Sequence, residues 1–207
     1  MKKIFLTLIL CGFAGAMFAQ GINFGVTAGL NVSNATAKQG SISVSEDWKA
    51  GFQAGVFMDY ALSPNLSLIP ELLFAQRGTK SKFEEEGLTL SDKTTLNYLQ
   101  LPVNLAYKFD LGMNQKLFPF AGIYLGYGLS GTYKSEFNGE SESTDIKFGS
   151  SEEEMKAFDY GVNFGVGYQF ERIVFKVQYN LGLANLYNGD GASLKHKNVA
   201  VTVGYMF

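Results

Sequence analysis

Apolar and polar residues alternate one for one along most of this chain, in runs longer than the strands of an ordinary soluble sheet. In residues 22–34, Ile22, Phe24, Val26, Ala28, Leu30 and Val32 fall on one side, with Asn23, Gly25, Thr27, Gly29, Asn31 and Ser33 on the other. A period of two belongs to β-strands, whose successive side chains point to opposite faces, and not to helices. The same code recurs in residues 48–60, 66–77, 98–109, 117–133, 158–170, 173–183 and 198–207, giving eight strands, an even number. It is least regular in 66–77, where Ile69 and Leu73 share the polar side and Pro70 lies on the other.

Length decides what such strands build. Strands of soluble sandwiches run about 5–6 residues, whereas a tilted strand needs about 9–11 to cross a bilayer. Nearly every segment here reaches the second figure. A spanning sheet must also close on itself, because each unpaired amide in hydrocarbon costs several kcal/mol. The expectation is an all-β fold, an eight-stranded antiparallel up-and-down transmembrane β-barrel, with a secreted sandwich as the alternative. Lipid outside puts the apolar face outward and the polar face in the lumen. Trp48, Tyr60, Phe109, Tyr133, Phe158 and Phe170, near strand ends, then sit at headgroup level.

The N-terminus agrees with export. Lys2 and Lys3 precede an apolar run over 4–13 and a small-residue stretch over 14–20. That reads as a signal peptide, residues 1–19, cut after Ala19 or a residue or two away, with the barrel domain over 20–207. The apolar run is shorter than the ~20 residues of a spanning anchor, and bulky Leu10 before Cys11 argues against lipidation. The mature chain then has no cysteine, which removes disulfide, thiol and cysteine-metal chemistry. Charged residues make up 17% of the chain, against about 25% in soluble domains. A net charge of −2 without a Lys/Arg cluster leaves no surface for nucleic acid.

Motifs for chemistry are sparse. The glycines of 122–128 and 161–167 superficially resemble a nucleotide loop, but they lie inside period-two alternation instead of at a strand-to-helix turn. Small residues that relieve crowding in the lumen are the better reading. His196, the single histidine, is expected in a loop or at a strand edge near the rim. Without a convergent Asp, Cys or second His it makes no metal site, and a Ser-His-Asp hydrolase could be built only around it. No catalytic, cofactor-binding or metal residue is assigned. The residues singled out are charges of lumen parity: Lys49, Asp59, Glu71, Arg77, Lys108, Asp159 and Lys176. Eight strands enclose a lumen that side chains just fill. An isolated charge there is costly, so these are expected to pair with neighbours from adjacent strands.

Connections alternate in length. Those around 63–65, 110–115 and 171–172 are short, while 35–47, 78–96, 134–157 and 186–197 are longer and polar. Barrels of this kind keep short turns in the periplasm and long loops outside. The third long connection is acidic, with Glu136, Glu140, Glu142, Asp145, Glu152, Glu153 and Glu154. A solvated loop is its plainer reading, and a site for cations or a partner protein the other.

An exported leader, eight such strands, Pro70-Glu71-Leu72-Leu73-Phe74 running to Arg77-Gly78, Leu101-Pro102-Val103, and a terminal aromatic Phe207 together resemble a known family. It is the outer-membrane β-barrel domain family of Bacteroidetes, porin-family or PorT-like. The resemblance covers essentially the mature chain and implies a place, the cell outer membrane, without a settled chemistry. Val203, Tyr205 and Phe207 resemble the signal read by the barrel-assembly machinery. The expected function is a structural or interaction role through the external loops. A narrow porin or channel for small solutes or ions, a component of a secretion system and an outer-membrane hydrolase are the alternatives. Expected partners are outer-membrane lipids, the assembly machinery during biogenesis, and an extracellular or secretion-system protein. No cofactor is expected.

Overall fold

The computed structural model describes residues 22–39, 42–85, 88–137, 140–149, 151, 154–188 and 192–207. The expected signal peptide lies outside them, as do Glu152 and Glu153 of the acidic connection. The described strands are β1 (Ile22–Gln39), β2 (Ile42–Ser45), β3 (Asp47–Ala61), β4 (Leu66–Glu85), β5 (Leu88–Tyr107), β6 (Phe109–Gly112), β7 (Gln115–Phe137), β8 (Glu140–Ile146), β9 (Phe158–Phe170), β10 (Ile173–Gly182) and β11 (Ala192–Met206). Eight of them form one antiparallel ring in the order β1-β3-β4-β5-β7-β9-β10-β11. β11 closes it by pairing with β1 from Gly25↔Met206 to Gln39↔Ala192. The fold is therefore the eight-stranded up-and-down barrel that the periodicity implies. β6 continues the β5 hairpin into β7, and β2 and β8 pair with the far ends of β1 and β7.

The alternation translates directly into an inside-out molecule. Leu30 is 73% exposed, and Leu105, Ile123, Phe164, Val177 and Val201 face outward with it, while Asn31, Gln100, Asn104, Asn163, Gln178 and Thr202 are buried in the lumen. A soluble barrel has the opposite arrangement; this one matches a hydrocarbon solvent. Aromatic pairs stand on the outer wall near the short turns, Tyr107 with Phe109 at 4.9 Å and Tyr205 with Phe207 at 5.9 Å between ring centroids. Farther along the wall, Phe52 and Phe74 lie 5.8 Å apart.

Much of what reads as long loop is strand. β4 and β5 remain paired out to Glu85↔Leu88, so the expected connection over 78–96 is a two-stranded ladder. β7 continues to Phe137 and pairs there with β5 on one side and β8 on the other. Beyond the bilayer both faces of a strand meet water, so the pairing persists while the alternation that reveals it disappears. The short turns occur where expected. Met113 and Asn114 both have positive φ, 52° and 58°, as a tight two-residue hairpin requires.

Two glycines show why the lumen needs small residues. A Cβ at Gly167 would lie 2.1 Å from the Phe118 ring, and one at Gly25 would lie 2.3 Å from Phe57. These rings fill the lumen because the opposing backbone carries no side chain.

Closure places Phe207 at the seam, its N–H donating 2.8 Å to Phe24 O and its ring on the outer wall. Phe207→Asp is expected to lower the heat-modifiable folded fraction at matched expression and to remove ~1.5–3 kcal/mol of apolar burial. Phe137→Asp, an equally exposed aromatic far along the extramembrane ladder, should leave the folded fraction near wild type. Equal losses in gel migration assays would show that the seam is not where the apolar contact matters.

Candidate functional site

The inward side chains form layers along the barrel axis. Nearest the short turns Lys108 donates to Asp59. Above that rim Phe57, Ile69, Ala106, Phe118, Phe120, Val174 and Met206 form an apolar cluster across the lumen. Ile69, the apparent irregularity of its strand, belongs to this cap, and Leu73 on the same face is 1% exposed. A neighbouring void lined by Thr27, Phe57, Phe118 and Lys176 measures about 10 Å³, the lower limit for one water.

The next layer holds Glu71 and Lys176. Nζ donates to both carboxylate oxygens at 2.6 Å and stands 5.8 Å over the Phe57 ring. Asn104 Nδ2 donates to the same carboxylate at 3.2 Å, and Asn163 Nδ2 donates 2.6 Å to Asn104 Oδ1. β4 and β10 lie on opposite sides of the ring, so this pair spans the diameter. Farther from the short turns, Arg77 Nη1 donates to Asp159 Oδ2 at 3.2 Å and Nη2 to Gln100 Oε1 at 2.7 Å. Tyr124 Oη donates to the same Asp159 oxygen at 3.1 Å. The guanidinium sits 5.2 Å from the Tyr124 ring and 5.9 Å from the Tyr98 ring, a stacked and forked setting that lysine would not reproduce. Arg77 is 2% and Asp159 1% exposed.

Of the seven charges singled out by parity, six therefore meet in three pairs. The partners do not come from adjacent strands, because a long side chain on a narrow ring reaches across the lumen as easily as along the wall. Lys49 stands apart and donates 2.8 Å to Thr95 Oγ1. Val203, Tyr205 and Phe207 lie together on the outer face of the closing strand.

The second cap comes from the long-connection side. Phe148 packs against Tyr98, 6.0 Å between centroids, over the bare backbone of Gly128. Leu186 and Leu96 are fully buried. Isolated bridges Phe148↔Met155 and Met155↔Tyr187 join the two covering segments. Asn188 Nδ2 donates to the carbonyls of Gly149, Ser151 and Glu154 at 3.0, 3.0 and 2.8 Å.

His196 corrects the sequence reading. It is not at a rim or in a loop but inside β11, 3% exposed, with its ring 6.4 Å from Tyr98. The period-two parity of Asn198, Ala200 and Thr202, continued two residues further, would have placed it there. Among the described residues its Nδ1 has no hydrogen-bond partner, so the carboxylate that orients a triad histidine is not in place. Among those residues no three of His, Cys, Asp and Glu converge as a metal site. The aromatic fillers Phe57, Phe118, Phe120 and Tyr124 also sit at lumen parity, a signal that could have marked them.

A closed ring with an apolar exterior, a paired and packed interior and strands long enough to span defines a transmembrane β-barrel. The model of the outer membrane protein beta-barrel domain family matches residues 18–188. The chain belongs to that family, and its place is the outer membrane. Solved structures similar to it include Ail, the attachment invasion locus protein of Yersinia pestis, with 18% identity, coverage of 91% of this chain and 99% of that one, and TM-score 0.41. Neisserial surface protein A has 14% identity, coverage of 89% and 97%, and TM-score 0.43. OprG from Pseudomonas aeruginosa has 12% identity, coverage of 91% and 97%, and TM-score 0.46. No curated protein matches the chain.

Glu71→Gln leaves Lys176 charged, buried and without its anion, and is expected to cost ~3–5 kcal/mol. Adding Lys176→Met should restore most of that loss, because an apolar pair in a packed interior needs no compensation. Urea unfolding midpoints in micelles measure both. A double variant no more stable than Glu71→Gln would show that the pair is not the source of the loss.

Proposed function

We propose that this barrel has a structural or interaction role, in which the ladders beyond the membrane meet partners and the lumen conducts little. The observation that carries this reading is the Glu71–Lys176 pair spanning the lumen between an apolar cap and a second charged layer. An eight-stranded circumference leaves little space once such side chains are counted. The narrow-channel reading has one observation in its favour: Tyr98 Oη and the Asn31 and Asn198 amides are buried without partners among the described residues, and polar groups of that kind suit water. In planar bilayers the wild type is expected to show no large, stable conductance, with only small and intermittent events, and Glu71→Gln to increase leak. A stable wild-type conductance whose ion selectivity, but not unfolding midpoint, changes in Glu71→Gln would favour the channel instead.

The long ladders face the cell exterior, and the short turns face the periplasm together with the start of β1 and the end of β11. The asymmetry of strand extension supports this orientation. β4, β5 and β7 run well past the length a bilayer requires on one side only. Tags inserted within residues 135–151 should be reachable in intact cells, whereas tags near Asn65 or Asn114 should not. Protease access to the short turns alone, in sealed cells, would reverse the orientation.

The Bacteroidetes PorT-like branch is the proposed subfamily. Its motif residues Glu71, Arg77 and Gly78 fall at points of close packing: two in ion pairs, and Gly78 with its N–H and C=O on Ser33 Oγ at 2.8 and 2.9 Å. A secretion-system or extracellular protein is the proposed partner class. Crosslinking from the long ladders in intact cells separates a specific partner from an isolated barrel. Val203, Tyr205 and Phe207 are the proposed assembly signal, supported by their common face on the closing strand.

A further inference from the structure

The barrel wall is uneven in height. β9 begins at Phe158 and β10 ends at Gly182, while neighbouring β7 continues to Phe137. The β7–β9 ladder stops at Tyr127↔Phe158, and the β9–β10 ladder stops at Gly161↔Gly182. This leaves a notch in the wall on the long-connection side. Chain turning out of β10 partly fills it, with the N–H groups of Leu183 and Ala184 both donating to Tyr160 O at 2.9 and 3.2 Å. A groove of about 700 Å³ remains.

The groove has two chemistries. Tyr127, Phe158 and Tyr160 line it and are each about half exposed on the outer wall, so its apolar side is continuous with the lipid-facing surface. Lys156 also lines it, two residues beyond Phe158 on the same outward parity and exposed. Phe148, the cap residue that packs on Tyr98, lines it as well. Aromatic rings with a lysine just beyond them form the arrangement by which a protein surface meets the boundary between acyl chains and headgroups. Among the described residues Glu154 is the acid nearest Lys156 in sequence; it accepts from Ser151 N–H at 3.1 Å, and its carboxylate lies against the backbone of Gly149, a lining residue.

We infer that this notch is a binding site for one membrane lipid with an anionic headgroup. The headgroup phosphate meets Lys156, and an acyl chain lies along Phe158, Tyr160 and Tyr127. The groove's continuity with the lipid-facing wall selects a lipid over a soluble ligand, and the lysine selects an anionic headgroup over a neutral one. Occupancy would brace the segment carrying Phe148 and with it the cap over the lumen.

Native mass spectrometry of the full barrel released from neutral detergent tests this, with phosphatidylglycerol and phosphatidylcholine as the probes. The wild type is expected to retain phosphatidylglycerol about fivefold better, the contribution of one lysine near an anionic surface. Lys156→Ala should lose that preference and Lys156→Arg should keep it. Phe158→Ala should weaken retention of both lipids. Heat-modifiable migration confirms that each variant is folded, and a variant that fails it is replaced by Tyr160→Ala for the apolar arm. Equal retention of the two lipids by the wild type, or a preference undiminished in Lys156→Ala, would overturn the proposal. Displacement of phosphatidylglycerol by millimolar inorganic phosphate would also overturn it, by showing a site for a soluble anion.

Discussion

No backbone amide can stay unpaired in hydrocarbon, and the whole architecture depends on meeting that demand where β11 returns to β1. The seam is one continuous antiparallel ladder from Gly25↔Met206 to Gln39↔Ala192. Opening it would expose a row of donors and acceptors at several kcal/mol each within the bilayer. Closure with eight strands fixes the circumference, and the circumference fixes how much side chain the interior can hold. Glycines at Gly25 and Gly167 lie under Phe57 and Phe118 because the enclosed space has been settled by the ring around it.

The same closure decides the electrostatics. Inward residues are largely withdrawn from bulk water, which favours pairing of the charges among them, although Lys49 meets a hydroxyl, Thr95 Oγ1, instead of an anion. Glu71 meets Lys176 across the full diameter, and Arg77 meets Asp159 together with Gln100 and Tyr124. Pairs that cross the lumen join distant parts of the ring, so each one resists a change in its cross-section. Replacing them with apolar groups of equal volume could stabilise the molecule as well; what the pairs contribute in addition is a defined partner for six of the long inward charges in a narrow space.

The sequence makes the faces legible and leaves the partners hidden. Period-two parity assigned Glu71, Arg77, Asp159 and Lys176 to the interior, because the difference between lipid and lumen is written at every second residue. Nothing in parity says which inward charge meets which, since that depends on ring order and on the relative heights of opposed strands. Parity also fails where both faces are wet. The outer ladders of β4, β5, β7 and β8 read as loops because Lys80, Lys82, Asp92 and Lys93 follow no apolar rhythm. His196 was hidden for a related reason: Lys195 and Lys197 on either side disguise the last inward positions of β11 as a polar connection.

The requirement that closes the barrel also shapes its upper rim. Strands of unequal length leave carbonyls at the low side with no neighbouring strand to donate to them, and a buried carbonyl must find a donor elsewhere. Tyr160 O receives two N–H groups from the chain leaving β10, and the amide of Asn188 serves three carbonyls of the segment that carries Phe148. Satisfying those groups draws both segments over the lumen, packing Phe148 against Tyr98 and burying Leu186. The tall side of the ring keeps its ladder and rises as a sheet whose outermost strand, β8, carries Glu140, Glu142 and Asp145 into solvent. One inequality in strand length thus yields a lumen mouth covered from the low side and, on the high side, an edge strand whose carboxylates are exposed.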